Sequence, residues 1–138
     1  MSKKERKKVL LIDDSKAHLV VAKTMLVDKY EVISANSGNK ALELFEEGLL
    51  PDVILLDILM PDMNGWEIYK NIKAISELNN VPIAFLTSQH GAEERINAMD
   101  LGADDYIMKP FHKEDLLKRI ASLIAKETTK NQKSLEIT

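Results

Sequence analysis

The residues of this sequence that could do chemistry stand at the carboxyl ends of short apolar runs. Asp13 and Asp14 follow the run at 9–12, and Asp57 follows 53–56. Thr87 and Ser88 follow 83–86, and Lys109, then Pro110, follow 106–108. Placing two adjacent carboxylates at the edge of a buried run is costly, because like charges repel and desolvation adds to the penalty. Three carboxylates within about 5 Å would repel by roughly 3 kcal/mol per pair at an effective dielectric near 20. Lys109 supplies one compensating charge, and the remaining excess suits a hard divalent cation. Mg2+, or Mn2+ in its place, takes oxygen ligands, keeps several waters and is held by one or two carboxylates plus a phosphate oxygen. The cation, the Lys109 ammonium and the Thr87 hydroxyl together form a receptacle for a phosphoryl group. Asp57 is then the candidate nucleophile, forming an aspartyl phosphate. On this reading Mg2+ should raise the melting temperature, and Asp13→Ala should raise it without metal.

For these groups to converge, the apolar runs must be neighbouring strands. The runs 9–12, 53–56 and 83–86 are continuously apolar, as suits strands buried on both faces of a parallel sheet; 31–35 and 106–108 are two further strands. The segments between them carry helical period. Leu116, Leu117, Ile120, Leu123 and Ile124 form one amphipathic stripe, and Ile68, Tyr69, Ile72 and Ile75 another after Gly65. Leu42, Leu44 and Phe45 precede a stop at Gly48, while Ile96, Met99 and Leu101 precede a second at Gly102. Ser15 or Asp14 can cap the helix carrying Leu19 and Leu26, and Asn36 or Ser37 the next. Five strands alternating with five helices predict an α/β domain with a parallel sheet, right-handed crossovers and helices on both faces. In such a sheet ligands bind beyond the carboxyl ends of the strands, at the topological switch point.

A chain of 138 residues with 45% hydrophobic and 30% charged content can bury one substantial core. The domain is predicted over residues 7–126, behind a basic leader at 1–6. A polar tail or linker is predicted at 127–138, where apolar periodicity ends. No apolar run approaches the ~20 residues of a membrane helix. A net charge of −3 argues against direct nucleic-acid binding, and the lysines of the leader read as a solvated arm. The absence of cysteine removes disulfides and thiolate metal sites, and fits a cytoplasmic location.

The segments IDDS, LLDILMPDMNG, FLTS and YIMKP, in this order and at strand ends, resemble the four signature segments of two-component response-regulator receiver domains, the chemotaxis type included. The likeness spans about 7–126. It implies a flavodoxin-like three-layer sandwich with strand order 2-1-3-4-5, the order that accompanies this chemotaxis fold. Asp57 matches the phosphorylated aspartate, Asp14 the direct Mg2+ ligand and Asp13 the acid acting through water. The backbone carbonyl of Leu59 matches a further ligand. Thr87 matches the hydroxyl switch residue, Lys109 the phosphate-pairing lysine, and Tyr106 the aromatic whose rotamer follows Thr87. Lys109–Pro110 resembles the family's cis peptide. Leu59 and Gln89 match positions that tune phosphate lifetime; Leu59 offers no side chain to orient water, whereas Gln89 does, so an intermediate lifetime is expected. Ser88 stands where a smaller residue is common.

The resemblance implies a phosphoacceptor signalling domain rather than an enzyme, with self-phosphorylation and autodephosphorylation as its only chemistry. Its expected partners are a sensor histidine kinase or phosphotransfer protein, and a downstream protein target or output domain. The expected state is a monomer or a phosphorylation-promoted dimer. The alternative is a docking module that keeps the fold and works without phosphorylation. A haloacid-type phosphatase would want an acid where Leu59 stands, and a flavodoxin would want a hydroxyl-rich loop where Asp13 and Asp14 stand. His18, His90 and His112 read as polar surface residues away from the acids. The six methionines and Trp66 read as packing, and Tyr106 as either the switch aromatic or a core aromatic with its hydroxyl at the surface.

Overall fold

The computed structural model describes residues 6–58, 65–87 and 102–137, with 127–137 as backbone alone. Five strands, β1 (Lys8–Ile12), β2 (Glu31–Ala35), β3 (Val53–Asp57), β4 (Ile83–Thr87) and β5 (Asp105–Met108), form one sheet in the order β2-β1-β3-β4-β5. Every neighbouring pair is parallel. Among the described residues the helices are α1 (Lys16–Leu26), α2 (Gly38–Glu46), α3 (Gly65–Lys73) and α4 (Lys113–Ile137), with a 3-10 turn at Ser76–Leu78. The helix expected ahead of Gly102 falls at 88–101, outside the described residues.

Alternation along the strands divides the core into two layers. Leu10, Ile12, Ile54, Leu56, Ile83 and Phe85 pack with Ala41, Ile68 and Ile72 of α2 and α3. Val9, Leu11, Val53, Leu55, Ala84 and Leu86 pack with Ala22, Leu26, Leu116, Ile120 and Leu123 of α1 and α4. Both faces of β1, β3 and β4 are thus covered, which is why these runs are continuously apolar. β2, at the edge, is exposed at Glu31 and Ser34, half-buried at Val32 and Ile33, and buried only at Ala35.

Ser15 caps α1 by accepting from His18 N at 3.3 Å, and Ser37 caps α2 by accepting from Lys40 N at 3.1 Å. Gly48, just past the end of α2, has a φ of 101° that other residues rarely adopt. α4 runs as helical backbone through Ile137, past residue 126. Residues 127–137 contain neither Gly nor Pro, so nothing breaks the helix there. Apolar periodicity and helical backbone are separate properties, so the end of one does not fix the end of the other.

Candidate functional site

The carboxyl ends of β1, β3, β4 and β5 meet at one rim of the sheet. Asp13 follows β1 directly, and its amide donates to Ala35 O of β2 at 3.1 Å. Its Oδ1 accepts from Ser15 N at 3.0 Å, tying the acid to the cap of α1. Asp57 is the last residue of β3. Gly65 opens α3 directly against it: a Cβ there would lie 2.7 Å from Asp57 O and 2.7 Å from Ile58 Cα. Thr87 ends β4 and is fully buried, with its carbonyl accepting from Lys109 N at 2.7 Å. Lys109 follows β5, and the Lys109–Pro110 peptide is cis.

One carboxylate oxygen from each of Asp13, Asp14 and Asp57 lies within 4.8 Å of the other two. Asp13 and Asp57 are buried, while Asp14 is exposed. Lys109 Nζ stands 2.6 Å from Asp13 Oδ2 and 3.8 Å from Asp57 Oδ2. The ammonium is therefore bonded to Asp13 and only leans towards Asp57. The group is rich in oxygen, buried at Asp13 and Asp57, open to solvent at Asp14, and more negative than one lysine can offset. That donor set suits a hard, oxygen-preferring cation, and these three aspartates are the side chains that could hold it.

One residue read as surface-only belongs to this constellation. His18, on the first turn of α1, has its Nδ1 2.8 Å from Lys109 Nζ and 3.6 Å from Asp13 Oδ2. The expectation that it lies away from the acids is corrected. Its position is a matter of helix phase, because the cap at Ser15 turns the third residue of α1 back over the strand ends. His18 and Lys109 also line a cleft of about 380 Å³ with Val21, Pro110 and Phe111. His112 is exposed at the start of α4, whereas His90 lies outside the described residues, as do Leu59, Ser88 and Gln89.

Tyr106 is buried in the layer that contains Phe85 and Tyr69, and its hydroxyl is buried too, which removes the alternative of a core aromatic with a surface hydroxyl. Phe85 pairs with Tyr106, and Thr87 with Met108, across β4 and β5. Residues two apart on a strand share a face, so Thr87, Phe85 and Tyr106 lie on one side of the sheet. Trp66 packs on the same layer, with its ring 4.8 Å from that of Phe85. Other acids serve the opposite end of the sheet: Asp52 Oδ2 accepts from Lys8 N at 2.7 Å, and Asp104 Oδ2 from Ile83 N at 2.9 Å.

Comparison with known proteins agrees with this architecture. The family model described as the response regulator receiver domain matches residues 9–121. Transcriptional regulatory protein CpxR of Escherichia coli is 34% identical over 118 residues, covering 85% of this chain and 49% of CpxR. The chain thus spans about half the length of the transcriptional regulators among the curated relatives it matches. The crystal structure of chemotaxis protein CheY4 from Vibrio cholerae superposes with a TM-score of 0.80 at 34% identity, covering 86% of this chain and 98% of CheY4. A CheY-like receiver domain protein from Methanospirillum hungatei gives 0.82 at 28% identity, covering 91% and 99%. The chain belongs to the response regulator receiver family of two-component systems. A receiver is a signalling domain, and its flavodoxin-like fold with order 2-1-3-4-5 is the one observed here. Among the described residues no helix is long and apolar enough to cross a membrane.

Proposed function

We propose that this receiver is phosphorylated on Asp57 by the phosphohistidine of a partner kinase or phosphotransfer protein, in a Mg2+-dependent reaction. An Asp57 carboxylate oxygen attacks phosphorus, the P–N bond of the donor breaks, and the imidazole leaves with the electron pair. Asp13, Asp14 and Asp57, with the Leu59 backbone carbonyl, hold the Mg2+. Bound there, the metal offsets the charge of the carboxylates and of the transferred group. Lys109 leaves Asp13 to pair with the aspartyl phosphate, Thr87 turns its hydroxyl to a phosphoryl oxygen, and Tyr106 follows Thr87. Gln89 orients the water that later hydrolyses the acyl phosphate, while Leu59 contributes nothing to that step, which gives an intermediate lifetime. The repacked surface engages a downstream target or output domain, as monomer or dimer, in the cytoplasm.

The observation that carries this reading is the convergence of three aspartate oxygens within 4.8 Å beside a largely buried lysine, at the carboxyl rim of a parallel sheet. Membership of the receiver family supports it. The test is transfer of labelled phosphoryl from acetyl phosphate. Label should enter the wild type with Mg2+, and should be lost in EDTA and in Asp57→Asn. Label that survives Asp57→Asn would overturn the assignment.

A further inference from the structure

The Lys109 ammonium sits in a cradle that Asp57 does not complete. Its side chain is only 10% exposed, so its charge needs close partners. An ammonium has three N–H donors and no acceptor. One donor reaches Asp13 Oδ2 at 2.6 Å, and another reaches His18 Nδ1 at 2.8 Å. Asp57 Oδ2, at 3.8 Å, is beyond hydrogen-bond distance. Because the ammonium can only donate, a hydrogen bond at this contact requires Nδ1 to present its lone pair. At 3.6 Å, the His18–Asp13 approach is too long for a hydrogen bond, so His18 acts on this site through Lys109.

We infer that His18 is a positioning residue that holds Lys109 on Asp13 and off Asp57, and so opposes metal entry and phosphoryl pairing. The inference rests on the proposed phosphoacceptor reading in one respect: a divalent cation at Asp13 must displace the ammonium from the same oxygen. The contacts to His18 Nδ1 at 2.8 Å and Asp13 Oδ2 at 2.6 Å occupy two of the three ammonium donors and leave Asp57 Oδ2 at 3.8 Å. Without the Nδ1 contact, Nζ can swing the short distance to Asp57 and leave Asp13 to the cation. His18 thus adds to the cost of loading the site, by about the worth of one ordinary, partly exposed hydrogen bond.

The side chain of His18 is 52% exposed, so substitutions there leave the core intact. His18→Leu removes the acceptor. His18→Asn restores one, because the amide Oδ1 occupies nearly the place of Nδ1. Calorimetric titration with MgCl2 at about pH 8 should show His18→Leu binding Mg2+ roughly three- to tenfold more tightly than wild type. His18→Asn should return to within about twofold of wild type. In metal-free protein, 15N NMR should show Nδ1 unprotonated and a slowly exchanging Lys109 ammonium signal that disappears in His18→Leu. Unchanged or weaker Mg2+ binding in His18→Leu, or an ammonium signal indifferent to the substitution, overturns the inference. If wild type itself binds no Mg2+, the phosphoacceptor reading fails, and the NMR comparison alone decides the role of His18.

Discussion

Neutralising Asp57 should stabilise the metal-free protein. The Asp57 carboxylate has two like-charged neighbours, Asp13 and Asp14, at 4.8 Å or less. Each repulsion is worth about 3.5 kcal/mol at an effective dielectric of 20, whereas the attraction to Lys109 at 3.8 Å is worth about 4 kcal/mol. The charge is therefore held at a net cost, and Asp57→Asn, similar in size, should gain about 1–3 kcal/mol after relaxation. For a chain of this length that is a rise in melting temperature of roughly 3–8 °C. The same arithmetic gives Asp13 a different outcome. Its bond to Lys109 at 2.6 Å is worth about 6 kcal/mol on the same scale and nearly cancels its two repulsions. Asp13→Asn should change the metal-free melting temperature little, so the ion pair moves the relief first expected at Asp13 onto Asp57. The assay is thermal unfolding by circular dichroism in EDTA and again in millimolar MgCl2. Mg2+ should stabilise the wild type more than Asp57→Asn and narrow the gap between them. An Asp57→Asn protein that melts at or below wild type in EDTA would refute the account of the site as carboxylate-strained.

Two further outcomes follow from the surroundings of the site. Gly65→Ala drives a Cβ to within 2.7 Å of backbone atoms of Asp57 and Ile58 that cannot yield as a side chain would; it should cost about 2–3 kcal/mol in urea unfolding. Tyr69 keeps its proton above the ordinary value of 10.0, because burial disfavours the phenolate and the charge of Asp104 adds to this. The folded state then holds that proton more tightly than the unfolded chain. Its contribution is complete below about pH 10 and is lost as pH rises through the folded value. Tyr69→Phe should therefore lose less stability than wild type between about pH 9 and 11, measured by urea midpoints, and equal losses would refute the assignment.

The sheet was legible because its three central strands are covered on both sides, and a run such as VLLI has no other comfortable place. The site was legible because polar residues ending such runs must collect at one rim once the strands are parallel. What escaped was the geometry that depends on helix phase and side-chain reach. His18 carries no sequence signal distinguishing it from His112, and only the turn set by Ser15 brings it over Lys109. The partition of Lys109 between two acids is likewise invisible in the chain order, since Asp13 and Asp57 are equally plausible partners until distances decide between them.

On the proposed reading, the rim also constrains how a phosphoryl group could be felt elsewhere. The backbone there is pinned, with Lys109 N bonded to Thr87 O at 2.7 Å and Ile58 N to Leu86 O at 3.1 Å. Lys109 Nζ needs only a small side-chain rotation to pass from Asp13 to a group on Asp57, so its movement alone displaces little. Thr87 is different, because it is fully buried and shares its sheet face with Phe85 and Tyr106. A close-packed layer does not absorb a hydroxyl rotation without a neighbour responding. Tyr106 stands on the outermost strand of that layer, and Phe85 is held between the rings of Trp66 and Tyr69 at 4.8 and 5.3 Å. On the proposed reading the neighbour that responds is Tyr106, which lies on the edge strand β5, and the face of β5 is where a change at Asp57 should first reach the surface.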